Sequence, residues 1–190
     1  MNYISIIIAT VLVNNMVLTQ IFGIKSALES SKDFESSITV GLSITFVTVI
    51  SSLIAKVFYD YVLLKFNLEY LKILSFVVII VLVIEIFYSL VAVTSKKEYE
   101  DLKSYLPSIT ANSMILGVSL IVVSNNYNIL NTVIYSFGVS LGFTLIALLL
   151  NAINEKYKYA NLPRYFLGKP ITLLALGLMA LAFYGFKGLI

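Results

Sequence analysis

The sequence contains no cysteine and no histidine among its 190 residues. Without these two residue types, most transition-metal sites lack ligands, thiolate chemistry is impossible and no disulfide can form. Charged residues are also scarce, at 12% of the chain, against roughly 25% in an average soluble domain. These absences exclude cysteine-ligated iron–sulfur clusters and most metalloenzyme sites from what this chain alone can build.

Apolar residues take the place of the missing charges and make up 59% of the chain. A soluble domain has about 45–50% apolar residues, and one core of this size cannot bury the excess. Lipid must therefore solvate much of the apolar surface. The net charge of +3 is small, so we attribute it to membrane topology rather than to affinity for nucleic acid. We expect an integral membrane protein that contacts the lipid bilayer and binds no nucleic acid.

Charged residues interrupt the sequence at intervals that fit membrane-spanning helices. A span needs about 20 apolar residues, and the polar cluster at 124–128 divides the neutral stretch 104–154 into two spans. The apolar runs are too long and too uniform for barrel strands. The sequence therefore predicts an all-α membrane protein with six transmembrane helices, at about 3–24, 38–55, 73–93, 107–123, 129–153 and 170–188.

The distribution of basic residues predicts the orientation, because basic loops face the cytoplasm. Six spans place both termini on one side of the membrane. Nine of the 13 basic residues fall in the loops on the opposite side from the termini: Lys25, Lys32, Lys96, Lys97, Lys103, Lys156, Lys158, Arg164 and Lys169. We therefore expect a multi-pass protein of a bacterial or archaeal cytoplasmic (inner) membrane with both termini outside.

The two halves of the chain resemble each other at offsets of 96–98 residues. Segment 14–18 matches 112–116, segment 41–46 matches 138–143, and segment 87–89 matches 183–185. Each half would hold three spans, so the second copy enters the membrane from the opposite side. The sequence predicts one integral membrane domain, 1–190, with inverted repeats at about 1–95 and 104–190.

Amide side chains lie at corresponding places in the two repeats, at Asn14 and Asn15 in helix 1 and at Asn112 in helix 4. One interpretation is that they join neighbouring helices, at about 0.6–2 kcal/mol per hydrogen bond. The other is that they interrupt helices 1 and 4 at a functional centre near the membrane midplane, where a broken helix exposes a dipole end. Both interpretations remain open from the residues alone, and the predicted architecture has interrupted helices 1 and 4.

Glu85 is the only acidic residue within a predicted span. It is either part of an ion path or a residue close to the membrane surface. The sequence contains no phosphate-binding glycine loop, nucleophile–base pair or dinucleotide fingerprint. We therefore assign no catalytic residue and no metal ligand, and we expect no catalysis by this chain alone.

Four segments together resemble one known family. They are 11–18 followed by Phe22-Gly23, 106–112 followed by Leu116-Gly117, the loop 153–156 with Leu162-Pro163 and Gly168, and the ending 177–183. In these segments, and over nearly the whole chain, the sequence resembles the RnfA/NqrE family of membrane subunits. Its length and predicted outward termini also agree with that family.

The resemblance implies a non-catalytic membrane subunit of a translocating oxidoreductase. In Rnf complexes, reduced ferredoxin passes electrons to NAD, and in Nqr complexes NADH passes them to quinone. Both kinds couple electron transport to Na⁺ or H⁺ transport. The resemblance also implies a homologous partner subunit of opposite topology, other complex subunits, and a [2Fe–2S] cluster to which the two homologous subunits contribute two cysteines each.

This chain departs from the family at the two cluster-ligand positions, which hold Lys25 and Ser113. Lysine and serine are poor iron–sulfur ligands. We therefore expect no cofactor to be bound by this chain alone.

Other functions remain open from the sequence. The chain could be a diverged small-solute transporter or a channel-like protein built on the same inverted repeat, present as a homodimer. It could also be a scaffold that assembles partner subunits. The chains and chromophores that copurify with the protein would discriminate between these functions.

Overall fold

The computed structural model describes residues 3–160, 163–166 and 168–187, without the side chains of residues 97, 98 and 101. Leu162 of the family-like loop, the side chain of Lys97 and the predicted end of the sixth helix at 188 lie outside these described residues. Every regular element within them is helical.

The α-helices of the described residues are α1 (Tyr3–Ile8), α2 (Met16–Thr19), α3 (Ile24–Ser30), α4 (Phe34–Phe58), α5 (Lys72–Thr94), α6 (Lys96–Lys103), α7 (Leu106–Thr110), α8 (Ser113–Ser124), α9 (Ile129–Tyr157) and α10 (Lys169–Tyr184). A π-helical segment, Ala9–Val13, continues α1, and a second one, Tyr59–Leu63, continues α4. Short 3₁₀ segments lie at Glu69–Leu71 and Arg164–Phe166.

Helical stretches of membrane-spanning length confirm the expectation of an integral membrane protein. Four stretches are long and apolar enough to cross a bilayer: Phe34–Leu63, Glu69–Thr94, Leu106–Ser124 and Ile129–Tyr157. They correspond to the second to fifth predicted spans. The first and sixth predicted spans contain the shorter apolar helices Tyr3–Val13 and Lys169–Tyr184.

Side-chain caps explain where the two longest helices begin. The Asp33 carboxylate accepts the Ser36 backbone N–H at 2.8 Å and starts α4. The Asn128 carboxamide accepts the Asn131 N–H at 2.7 Å and starts α9. Such caps satisfy amides that have no partner within the first helical turn. Because α4 begins at Phe34 and continues past residue 55, the predicted limits of the second helix are wrong, and Lys56 lies inside the helix.

The first predicted helix, 3–24, is wrong as a single helix because the chain leaves the helical path twice. The break at residues 14–15 was predicted. A second one follows α2, where Ile21 and Gly23 have φ values of 63° and 75°. Glycine adopts such angles without strain, whereas a β-branched residue rarely does. The fourth predicted helix is also interrupted, as predicted, between α7 and α8.

Helices α4 and α9 lie side by side at the centre of the protein and run antiparallel. Ser52 and Ser136 are in hydrogen-bond contact at 2.7 Å near one end of the pair. Gly41 faces Thr144 near the other end, where a Cβ added to the glycine would lie 2.5 Å from the threonine Oγ1. The predicted repeat pairs these two helices with each other, so the corresponding helices of the two halves have opposite directions.

The other helices pack around this pair in a reciprocal way. The first predicted span packs on α9 through α1, its π-helical continuation and α2, while the fourth predicted span packs on α4 through α7 and α8. Helix α10 contacts α9 and α2, while α5 contacts α4 and α8. These main contacts remain the same when the elements of the first half are exchanged with those of the second.

Large apolar side chains on the outside of the bundle provide the surface for lipid. Leu42, Val78, Leu82, Ile86 and Leu178 are each at least half exposed. Exposed apolar surface of this extent is unusual for a soluble monomer and is expected of a protein solvated by acyl chains.

The close α4–α9 contact predicts that a larger side chain at Gly41 destabilises the bundle. In the variant Gly41→Val, the new side chain must displace Thr144, at a cost of about 1–3 kcal/mol. Thermal unfolding of the detergent-purified protein is expected to show a lower midpoint than the native chain. Gly177→Val is the matched control, because a Cβ there meets nothing within 4 Å. Equal midpoints for the two variants would contradict the described contact.

Candidate functional site at the paired helix breaks

Asn15 holds the first break together and is 1% exposed. Its Oδ1 accepts the Val17 N–H at 3.1 Å and caps α2. Its Nδ2 donates to the carbonyl oxygen of Val11 at 2.9 Å and to that of Gly142, on α9, at 3.0 Å. One side chain therefore caps a helix, satisfies a carbonyl of the preceding segment and joins the break to a helix of the other half.

Asn14 differs from its neighbour because it is exposed. It ends the π-helical segment, and its backbone N–H donates to the carbonyl oxygen of Ala9 at 2.7 Å. It also lines a cavity of about 450 Å³ between the break and α10. The polar residues of this cavity are Asn14, Asn15, Thr19, Gln20 and Lys187.

The second break is built in the same way around Asn112, which is 5% exposed. Its Oδ1 accepts the Met114 N–H at 2.9 Å and caps α8. The backbone angles of the two capping residues are also similar, at −61° and 115° for Asn15 and −80° and 107° for Asn112. The two breaks are therefore the same local structure used twice.

This equivalence corrects the sequence alignment of the two halves by one residue. The sequence paired Asn14 with Asn112, but the capping geometry pairs Asn15 with Asn112. The same offset of 97 residues pairs Gly41 with Gly138. The residues around these amides are apolar and of similar type, so they fit either alignment. The sequence alone does not show which of two adjacent amides caps a helix.

The two breaks differ in how the amide nitrogen is used. Asn15 Nδ2 has two carbonyl partners. Asn112 Nδ2 is buried and has no hydrogen-bond partner among the described residues. A buried amide without a partner is costly, so the second break is the less fully satisfied of the two.

The segments that contain Lys25 and Ser113 meet at the second break. The Gly23 backbone N–H donates to Ser113 Oγ at 3.1 Å, and Lys25 follows two residues later in the first turn of α3. Lys25 and Ser113 are both exposed on the surface of the chain. Two segments that are far apart in the sequence therefore come into contact here, and each carries an exposed polar side chain.

Glu85 lies apart from the two breaks. Its side chain is exposed on α5, and its backbone carbonyl accepts the Ser89 hydroxyl at 2.9 Å. Nothing in the described structure directs its carboxylate towards the Asn15 or Asn112 break, so an ion path through Glu85 stays a prediction.

Glycines allow close contacts at both breaks. On α9, a Cβ at Gly142 would lie 2.8 Å from Asn15 Nδ2, and one at Gly138 would collide with the Thr10 hydroxyl. On α8, a Cβ at Gly117 would lie 2.9 Å from the Phe22 ring. Gly177 makes no such contact, because a Cβ there meets nothing within 4 Å.

An ion pair that was not predicted from the sequence joins the last turn of α4 to the π-helical segment that follows it. Lys56 is 6% exposed, and its Nζ lies 2.8 Å from Asp60 Oδ1. The predicted helix ended before Lys56, so both residues were assigned to a loop. Their i, i+4 spacing was the available signal, since this spacing places opposite charges together on a helix.

The fold and the breaks define a class of protein: an integral membrane bundle with two interrupted helices, each capped by a buried asparagine.

The sequence matches the family described as "Rnf-Nqr subunit, membrane protein" over residues 3–190. Several similar proteins are each named as a subunit of an ion-translocating oxidoreductase complex. Those of Aliivibrio salmonicida and Shewanella sediminis are 39% identical over 99% of this chain and 97% and 98% of their own lengths. That of Vibrio cholerae El Tor Inaba N16961 is 38% identical over 99% and 97%.

This chain belongs to the Rnf-Nqr family of membrane subunits. The match extends over the described spans and both breaks, so it confirms the resemblance stated from the sequence.

The contacts of Asn15 predict a large difference between two adjacent substitutions. Asn15→Ala removes a helix cap and the bond to α9, for a combined cost of about 2 kcal/mol. Asn14→Ala removes an exposed side chain and is expected to cost little. Thermal unfolding in detergent or bicelles compares the two variants. A greater loss of stability for Asn14→Ala would contradict the assignment of the cap to Asn15.

Proposed function

We propose that this chain is an integral membrane subunit of an ion-translocating oxidoreductase complex of the Rnf/Nqr type. In this complex, electron transfer by other subunits drives Na⁺ or H⁺ across the cytoplasmic membrane. The observation that carries the proposal is the whole-length similarity to proteins named as subunits of ion-translocating oxidoreductase complexes. The partners are a homologous membrane subunit of opposite topology and the redox subunits.

The interior of the bundle is polar as well as apolar. The described residues contain no group of three or more acidic, histidine or cysteine side chains that could hold a metal ion. What they contain is a polar interior, formed by capped breaks and buried hydroxyl groups within an apolar bundle. Polar groups at this depth are costly in lipid, so they support a role in transport more than a role in anchoring alone.

Co-purification and transport tests address this proposal. A tagged chain isolated in mild detergent from its native membranes is expected to bring flavin-containing and iron–sulfur subunits with it. Deletion of the chain should abolish donor-driven cation uptake by inverted membrane vesicles, and the native chain should restore it. Isolation as a homodimer that moves a small solute, without redox subunits, would contradict the proposal and support the alternative transporter function.

We further propose that the chain crosses the membrane six times as two inverted repeats, with both termini outside. Supporting observations are the antiparallel pairing of α4 with α9, the reciprocal packing of the other helices and the equivalent asparagine caps. The first and last spans would include the segments beyond the short apolar helices.

The absence of cysteine makes this topology directly measurable. Single cysteines can be introduced by Lys65→Cys and Asn125→Cys on the proposed outer side, and by Lys32→Cys and Tyr159→Cys on the proposed inner side. All four positions are exposed. A membrane-impermeant thiol reagent is expected to label the first two variants in intact cells and the other two only after permeabilisation. The reverse labelling pattern would invert the orientation, and labelling of all four in intact cells would contradict six spans.

The family's shared [2Fe–2S] cluster does not fit the residues at this site. The meeting point of the second break offers the Lys25 ammonium and the Ser113 hydroxyl, and the Ser113 oxygen already accepts the Gly23 N–H. Clusters of this kind need thiolate or imidazole ligands, and the chain has neither cysteine nor histidine. We infer that this chain contributes no cluster ligand.

Iron content tests this inference on the purified complex. The iron and acid-labile sulfide per complex are expected to be unchanged in Ser113→Ala and in Lys25→Ala, because neither side chain holds a cluster. Lys32→Ala serves as a control for loss of an exposed charge near the same helix. Loss of one cluster's iron in either test variant, but not in the control, would contradict the inference.

A further inference from the structure

Helices α4 and α9 share a line of polar side chains that the breaks do not use. We name as the polar seam the α4 residues Thr48, Ser52 and Lys56 and the α9 residues Thr132, Ser136 and Ser140. Each is spaced four residues from the next on its own helix, so each set follows one helix face. All six are buried, and the five hydroxyl residues are 0% exposed.

The antiparallel register places these two sets opposite each other. Ser52 Oγ and Ser136 Oγ are 2.7 Å apart. One turn towards the middle of α4, this register places Thr48 opposite Ser140. One turn in the other direction, it places Lys56 opposite Thr132, near the beginning of α9. By this register the polar seam extends over two helical turns, with Ser52 and Ser136 in contact at its middle.

The hydroxyl groups of the polar seam are unevenly satisfied. Those of Thr132 and Ser136 donate to carbonyl oxygens of their own helix region, at 2.9 and 2.7 Å, and Ser140 donates to the carbonyl oxygen of Ser136. Ser52 Oγ lies 3.1 Å from the Val49 carbonyl oxygen and also contacts Ser136 Oγ. A hydroxyl oxygen that donates its proton can still accept through its lone pairs. Thr48 Oγ1, in contrast, is buried and has no partner among the described residues. A buried hydroxyl without a protein partner points to a small polar occupant such as water or an ion.

Lys56 places a positive charge at the end of the polar seam nearest the loop between α8 and α9. Its partner Asp60 is 37% exposed, whereas the Lys56 side chain is 7% exposed. Among the described residues, Asp60 is the only acid within 4 Å of the Lys56 ammonium. The π-helical segment that begins at Tyr59 widens the helix at this point, and such segments are frequent at functional sites.

We propose that the polar seam is a path for a monovalent metal cation such as Na⁺, and that the Lys56 ammonium closes one end of it. Hydroxyl and carbonyl oxygens are the ligands that hard cations prefer. A fixed ammonium one helical turn from Ser52 repels a second cation at that end, and Asp60 holds the ammonium in place. The proposal rests on the proposed function in taking cation transport as the activity of the complex.

A simpler explanation is that Lys56 and Asp60 only stabilise the end of α4. The two explanations differ in cation flux. A structural pair predicts that loss of the ammonium lowers stability without opening a specific path. A closing ammonium predicts a cation leak that depends on Thr48, which lies two turns further along the polar seam.

The test measures ²²Na⁺ influx into proteoliposomes that contain the whole complex, first without an electron donor. Lys56→Gln is expected to raise this resting influx by at least about tenfold, since one unit charge is removed next to the path. The double variant Lys56→Gln/Thr48→Val is expected to return it to the native level. Lys65→Gln, which changes an exposed lysine near the same end of α4, should leave it unchanged. An unchanged influx in Lys56→Gln, or a leak that Thr48→Val does not reduce, would overturn the proposal.

A second measurement does not depend on the Lys56 variant folding. With the donor present, Thr48→Val alone is expected to lower Na⁺ uptake per electron transferred. Ser51→Ala is the matched control, because it removes another buried unpartnered hydroxyl, outside the polar seam. Full coupling in Thr48→Val would overturn the proposal. Absence of donor-driven uptake in the native complex would instead overturn the proposed function.

Discussion

The hydrogen bonds of Asn15 are the interaction on which this structure depends. A helix that stops inside a bilayer leaves backbone groups without partners, and lipid offers none. Asn15 supplies an acceptor to α2 and donors to Val11 and Gly142. The close approach of the break to α9 requires a residue without a side chain at position 142, and that requirement joins the two halves of the chain.

A second asparagine cap of the same kind occurs in the other half of the chain, and this repetition explains the overall arrangement. Asn112 caps α8 as Asn15 caps α2, and the helices around α4 and α9 pack reciprocally. The two halves nevertheless differ. Asn112 Nδ2 has no partner among the described residues, whereas Asn15 Nδ2 has two, and the turn that contains Gly23 contacts the second break through Ser113. The two breaks therefore share a cap but differ in their other hydrogen bonds.

The sequence predicted those parts of the fold that depend on composition and spacing. Long neutral runs identified the central spans, and amides within apolar segments identified both breaks. It could not decide between Asn14 and Asn15, because that choice depends on backbone angles set by packing against α9. It also missed the turn at Ile21 and placed Lys56 in a loop, since a buried charge and an exposed one have the same sequence letter.

The packing at the second break does not require a metal ligand. Two distant segments meet there through the bond from the Gly23 N–H to Ser113 Oγ, although neither Ser113 nor the nearby Lys25 is a suitable iron ligand. The scaffold needs only the caps, the close glycine contacts and the antiparallel helix pair. It therefore does not depend on an iron ligand at position 25 or 113.

An experimental density map of the native complex in a lipid nanodisc would show the Asn15 break directly. We expect a helix interrupted at residues 14–15, with the Asn15 side chain bridging to the Gly142 carbonyl, and protein density alone between Lys25 and Ser113. A continuous helix through Asn15, or the strong density of an iron–sulfur cluster held by this chain, would contradict this expectation.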